Sequence, residues 1–187
     1  MGQYYKACLI TEDHIKVVRP DGWKMMEHSW YGNTAMKRIE KILYKNPCRV
    51  IWVGDYSQCA PFCWEYKQED EEDINRDAEE EELDLLKREE DKEYLLINNF
   101  RKEYINMTKQ EMNEELFQGR WNNVIHPLWL LCRAETEEAG GDYHSEVGVE
   151  NIGRWCGDEI YVMEKDQATE ELKYYDDMTD VYFFKEE

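Results

Sequence analysis

Apolar positions along the chain recur with two periods, and the change between them marks its elements. Tyr4 to Ile10 (YYKACLI) and Ile15 to Val18 (IKVV) read as two strands, with the turn TEDH between them. Pro20-Asp21-Gly22 is a turn by its chemistry, since proline presets φ and glycine tolerates positive φ. In TAMKRIEKILYK the period becomes helical: Met36, Ile39, Ile42 and Leu43 fall on one face. Asn33 or Thr34 can cap that helix, and Asn46-Pro47 stops it. Arg49 to Val53 is apolar enough for a central strand and ends at Gly54-Asp55. YLLINNFRKEYINM, Tyr94 to Met107, reads as a β-hairpin with turn chemistry at Asn98-Asn99 and Arg101-Lys102. VIHPLWLLC is apolar but broken by Pro127, which predicts an edge strand or an irregular core segment. Gln110 to Gln118 is a short helix or turn and Gly140-Gly141-Asp142 a loop; Ile160 to Met163 and Val181 to Phe184 read as closing strands. The sum is α+β: a single domain over residues 1–187, with an antiparallel or mixed sheet and one or two packed helices.

One stretch breaks both periods. Gln68 to Tyr94 (QEDEEDINRDAEEEELDLLKREEDKEY) holds fifteen carboxylates and four basic residues. Its residue types favour helix, on a thin apolar stripe of Ile74, Ala78, Leu85 and Leu86. Like charges meet four residues apart in Asp73–Asp77–Glu81 and Glu80–Asp84, at a cost of a few tenths of a kcal/mol per pair. The expectation is a long acidic helical insertion over residues 67–93, roughly 40 Å long at about 1.5 Å per residue.

Charge sharpens this picture. The chain of 187 residues has a formal net charge of −20. Residues 1–66 carry 9 basic and 7 acidic groups, and residues 67–93 carry 5 and 15. Residues 94–134 carry 5 and 4, and residues 135–187 carry 4 and 17. Two near-neutral blocks alternate with two acidic ones. Such a field argues against direct nucleic-acid binding and against an anionic membrane. The start, MGQYYKACLITEDHIKVV, has no long apolar run, so neither a signal peptide nor a membrane span is expected. Lys6 stands where a myristoylation site wants Ser or Thr. A cytoplasmic protein is expected, with Cys8, Cys48, Cys59, Cys63, Cys132 and Cys156 reduced and mostly buried. Cys59 and Cys63 with Cys48 or His126 give only a weak zinc spacing.

Several longer motifs occur in order: MGQYYK, MEHSWYGN (Met26–Asn33), RVIWVGDYS (Arg49–Ser57), IHPLWLL (Ile125–Leu131) and GGDYHSEVGVENIGRW (Gly140–Trp155). Together they resemble an uncharacterised family of small proteins from gut bacteria, their phages and mobile elements. The resemblance covers most of the chain outside the acidic stretch. It implies a phage or mobile-element context within a bacterial host cell, and no functional residues, because the family carries no assigned activity.

Candidate chemistry is sparse. Asp142 and His144, with Asp55, His28 or His126, would suit an acid–base pair, and Asp142 with Asp55 or Asp158 a divalent cation. The plainer reading takes Asp55 and Asp142 as turn residues and His126 as a satisfied core histidine. No nucleophile context, phosphate loop or zinc-protease signature is present, so no catalytic residue, metal or cofactor is expected. Lys37, Arg38, Lys41, Lys45 and Arg49, with the loop Gly140–His144, would suit a nucleotide or small ligand, held as by a sponge or a weak hydrolase; an ordinary solvated helix face is the plainer account.

The acidic blocks carry the leading expectation. Glu69, Asp70, Glu71, Glu72, Asp73, Glu79, Glu80, Glu81, Glu82 and Asp84 would take the place of a phosphate backbone. In the second block Tyr174 and Tyr175 with Asp176 and Asp177 place aromatic anchors beside carboxylates, among Glu135, Glu137, Glu138, Asp166, Glu170, Glu171, Asp180, Tyr182, Phe183 and Phe184. The partner expected is a basic nucleic-acid-binding host protein, a CRISPR effector nuclease being one such target. A merely solvated arm is the alternative for the stretch itself.

Overall fold

The computed structural model describes residues 4–12, 15–18, 33–45, 47–55, 92–108, 126–134, 151, 153–168 and 170–180. Within them the strands are β1 (Tyr5–Ile10), β2 (Ile15–Val18), β3 (Cys48–Gly54), β4 (Tyr94–Asn98), β5 (Glu103–Asn106), β6 (Glu159–Glu164) and the two-residue β7 (Asp176–Asp177). The helices are α1 (Thr34–Lys45) and the single-turn α2 (Pro127–Leu131), with 3-10 turns at Lys165–Gln167 and Glu170–Tyr174. The strands form one sheet in the order β2-β1-β3-β6-β4-β5-β7. Every pairing is antiparallel except β5 with β7, so the sheet is mixed, as expected for the α+β reading.

The local rules account for α1 from cap to stop. Asn33 is its N-cap: the side-chain Oδ1 accepts the Ala35 N–H at 2.8 Å, and its carbonyl accepts the first helical bond from Lys37 at 3.0 Å. Met36, Ile39 and Leu43 lie fully buried along the inner face, with Ile42 packed against the same core. That face lies over β6, and the exposed Tyr44 hydroxyl donates to Glu164 Oε1 at 3.0 Å.

The apolar segment around Pro127 is helical, not an edge strand. Proline at the first helical position lacks a donor where none is needed, so it opens a helix without cost. His126 caps that turn, its Nδ1 accepting the Leu128 N–H at 3.1 Å. The residues α2 presents, Leu128, Trp129 and Leu131, are buried among those of β1, β3 and α1. Trp129 meets Tyr5 edge-on at 4.7 Å and Trp52 edge-on at 5.8 Å between ring centroids.

On the opposite face Cys8, Val17 and Val53 form a second, smaller cluster. Cys8 corrects the expectation of reduced thiols. It is disulfide-bonded, to a partner outside the described residues, because the fold and not the spacing along the chain decides which sulfurs meet. Cys48, Cys132 and Cys156 are free thiols. The expected acidic helix, the strand Val181–Phe184 and the short helix at Gln110–Gln118 lie outside the described residues, except for Lys92 and Glu93, which precede β4 outside any helix. No described helix is long and apolar enough to cross a membrane.

Two buried tryptophans differ in one respect. Trp155 Nε1 donates to Glu103 Oε2 at 2.7 Å, whereas Trp52 Nε1 meets no acceptor among the described residues. Replacing each by phenylalanine removes the same atoms, so the difference between them isolates the hydrogen bond. In urea unfolding, Trp155→Phe is expected to cost about 1–3 kcal/mol more than Trp52→Phe. Equal costs would mean that the Trp155 bond contributes nothing.

Candidate interaction surface

The β4–β5 hairpin turns through four residues, Asn99 to Lys102, between the paired Asn98 and Glu103. Lys102 has a φ of 58°, the left-handed position that closes such a loop. Asn98 holds the turn from inside, its Oδ1 accepting the Arg101 N–H at 2.9 Å. Its amide donates to Asp158 Oδ2 at 3.0 Å, and the same oxygen accepts Arg101 Nε at 2.6 Å. A carboxylate just before β6 therefore braces the loop.

Below the loop, the carboxylate of Glu103 is buried and fully occupied. It accepts Trp155 Nε1 and Arg154, the latter through Nε at 3.1 and 3.2 Å and through Nη2. Burial alone would raise its pKa; the hydrogen bonds from Arg154 and Trp155 and the Arg154 charge outweigh it and leave the carboxyl below its ordinary value. Arg154 is placed by Gly153, whose φ of 72° suits glycine and where a Cβ would lie 2.8 Å from the Arg133 carbonyl oxygen.

β7 fastens the outer edge. Asp176 N–H donates to the Lys102 carbonyl and Met178 N–H to the Tyr104 carbonyl, both at 2.8 Å. Asp177 works inward: Oδ2 accepts the Tyr104 hydroxyl and Oδ1 accepts the Thr179 N–H, each at 2.9 Å. Burial, then that bond to Asp177, push the Tyr104 pKa up to about 12. Tyr175 also works inward, donating to Asn99 Oδ1 at 2.9 Å while its hydroxyl accepts Lys102 Nζ at 2.9 Å. Tyr161 reaches the same Asn99 oxygen at 3.3 Å.

The four described residues of the expected partner surface are thus brought together at one sheet edge, with divided roles. Tyr175 and Asp177 bond back to the fold, although Asp177, like Asp176, is exposed; Tyr174, 76% exposed, and Asp176 face outward. Phe100, 78% exposed at the tip of the loop, belongs to the same edge and was not among the expected residues. A bulky aromatic inside a run of turn residues was the signal for it. Glu69 to Asp73, Glu79 to Glu82 and Asp84 lie outside the described residues.

Three carboxylates of the second acidic block are ion-paired, two of them with partners distant in sequence. Asp158 pairs with Arg101, Glu164 with Lys92 at 3.3 Å, and Glu170 with Lys173 at 2.6 Å; Lys165 from this block holds Glu93 of the first. Asp166, Asp176 and Asp180 form no ion pair among the described residues.

The other candidates resolve as framework. His126 is fully buried; because Nδ1 accepts from Leu128, the ring is neutral and its Nε2–H donates to Glu40 Oε1 at 2.6 Å. Both ring nitrogens are engaged, so it is not poised as a metal ligand. Burial, then the charge of Glu159, push the Cys48 thiol up to about 12, which disfavours the thiolate that zinc requires. Asp55 braces the end of β3, exchanging backbone and side-chain bonds with Tyr4. Lys37 is exposed but Arg38 is buried, so these two do not share one solvated face of α1. No group of three or more His, Cys, Asp or Glu among the described residues is arranged to hold a metal. His28, Asp142 and His144 lie outside the described residues.

Glu103 gives this region a pH signature. Its pKa is lower folded than unfolded, so its stabilisation is complete above the ordinary value of 4.5 and is lost as pH falls through the folded value. At neutral pH, Glu103→Gln is expected to cost about 1 kcal/mol and Glu103→Ala about 2–3 kcal/mol, since alanine also strands the Trp155 donor. The gap between wild type and the glutamine variant should narrow in urea melts below about pH 4. A gap independent of pH would show that the charge of Glu103 is not what stabilises.

Compared with protein-family models, with curated proteins and with solved structures, the chain matches none, and the reading of this surface rests on its own chemistry.

Proposed function

We propose that the chain is a non-enzymatic inhibitor from a phage or mobile element, acting in the cytoplasm of a bacterial host. It binds the basic nucleic-acid-binding surface of a host effector, a CRISPR effector nuclease being one such target, and excludes the nucleic acid. The observation that carries this reading is the density of like charge from Gln68 to Tyr94, fifteen carboxylates against four cations. Folding does not require such a run, because neighbouring like charges oppose both helix and compaction. A groove of Lys and Arg shaped for phosphates supplies the missing counter-charge. Exposed aromatics at the β5–β7 edge, where Asp176 forms no ion pair among the described residues, support the same reading, since anchors of this kind concentrate binding energy.

The test is displacement. A fluorescent DNA duplex is loaded on purified basic effectors, guide-loaded CRISPR nucleases among them, and the protein is titrated in at low and at physiological salt. Release of the duplex is expected from at least one effector, weakening steeply with salt. Replacing Glu79, Glu80, Glu81 and Glu82 by glutamine should raise the half-displacing concentration about tenfold or more. Displacement unchanged by that variant, or insensitive to salt, would refute the mimic mechanism.

A further inference from the structure

We infer that the tip of the β4–β5 hairpin, Phe100 together with Tyr174, is a preformed docking surface for an arginine-rich segment of a partner protein. This rests on the proposed binding of a basic partner and adds a second surface to it, distinct from the acidic stretch.

Three observations converge. Phe100 and Tyr174 are the two most exposed large hydrophobic residues described, at 78% and 76%. They are also neighbours through one bond: Phe100 follows Asn99, Tyr174 precedes Tyr175, and the Tyr175 hydroxyl donates to Asn99. Isolated exposed aromatics need no explanation; these two stand beside the two ends of one hydrogen bond, which sets them at the same end of the sheet.

The patch is held rigid. The loop carrying Phe100 is fixed by Asn98 Oδ1 on the Arg101 N–H, by Asp158 on Arg101, and by the Asp176 N–H on the Lys102 carbonyl. Tyr161 and Tyr175 both hold Asn99 from the side. A loop so constrained loses little freedom on binding, so its contacts count fully toward affinity.

The chemistry points to a guanidinium. Ring faces on this edge already attract the chain's own cations: Lys102 lies 4.7 Å from the Tyr175 centroid and Lys173 lies 5.3 Å from that of Tyr174. Asp176, in register with Glu103 beside the loop, is an exposed carboxylate without an ion pair among the described residues. Aromatic faces beside carboxylates suit arginine, which stacks its plane and donates a two-pronged bond, better than lysine, a compact and strongly hydrated charge. Nucleic acid fits worse. Bases could stack on the same rings, but their phosphates would meet Asp176 on a chain of net charge −20, and Arg101 is engaged by Asp158.

The test uses the full chain and three fluorescent probes: nona-arginine, nona-lysine and an oligothymidylate of similar length. Wild type is expected to bind nona-arginine about fivefold more tightly than nona-lysine and to ignore the oligonucleotide. Phe100→Ala with Tyr174→Ala, both exposed and so compatible with the fold, should abolish that preference and leave nona-lysine binding unchanged. Glutamine at Glu79 to Glu82 should instead weaken both peptides in parallel. Equal binding of the peptides by wild type, or a preference that survives the aromatic double variant, overturns the hairpin surface. If both peptides then still depend on Glu79 to Glu82, the basic-partner reading stands without it. Failure of both peptides to bind refutes both. Oligonucleotide binding lost in the double variant would assign the patch to nucleic acid and overturn the inference.

Discussion

The strand β3 must satisfy backbone donors and acceptors along both of its edges, and much of the remaining structure depends on how it does so. One edge is filled by β1 alone, from Tyr5 opposite Gly54 to Ile10 opposite Arg49. The other is filled in pieces. β6 pairs at Cys48 and Arg49, the Gly157 N–H reaches the Val50 carbonyl, and Trp52 exchanges bonds with Cys132 and Ala134. Buried backbone groups cannot be left unpaired, so residues 132–134, 157 and 159–160 are drawn to one line. The turn between them fits because Trp155 N–H finds the Leu131 carbonyl and because Gly153 lets the Arg133 carbonyl approach. That turn sets Arg154 and Trp155 against Glu103, and Glu103 begins the strand after the hairpin loop. The exposed tip is therefore positioned by the interior.

Buried ionisable groups make the same frame selective. Glu103 and the pair His126–Glu40 sit where water does not solvate them, and a charge there is tolerable only with its bonds filled. Each joins elements far apart in sequence: Glu40 of α1 meets the cap of α2 across 86 residues, and Glu103 meets Trp155 across 52. A slipped packing of α1 on α2 would leave the Glu40 carboxylate with one acceptor unfilled. An apolar substitute would tolerate several packings. The polar pair tolerates few.

What the sequence disclosed and what it concealed divide along the same line. Rules acting within a few residues were legible: the helix Thr34–Lys45 with its Asn33 cap, the strands of the N-terminal hairpin, and the turn at Asn98–Lys102. Pro127 misleads because its two meanings, strand breaker and helix opener, differ only in whether His126 can cap the turn after it. Pairings between distant segments were not legible. The engagement of Asp158 with Arg101 and the inward turn of Arg38 depend on the tertiary arrangement, and so does the disulfide of Cys8. For the same reason the acidic block 135–187 looks like a uniform surface in the sequence, whereas several of its carboxylates are ion-paired. Of the expected site, Tyr174 and Asp176 face outward, while Tyr175 and Asp177 serve the fold.

That neutralisation bears on how a basic partner would be met. Charges paired at contact distance cancel one another at long range, with a Debye length of about 8 Å at physiological salt, so Asp158, Glu164 and Glu170 add little to the field, whereas Asp166, Asp176 and Asp180 still contribute. The stretch Gln68–Tyr94 keeps most of its excess, because its few basic residues cannot offset fifteen carboxylates. Under the proposed function the two surfaces then do different work. The acidic stretch draws a cationic surface in from a distance, and affects mainly the rate of encounter. The rigid aromatic tip acts only at contact, where stacking separates arginine from lysine and governs how long the complex lasts. Charge without the tip would bind any basic surface, and the tip without charge would rarely meet one.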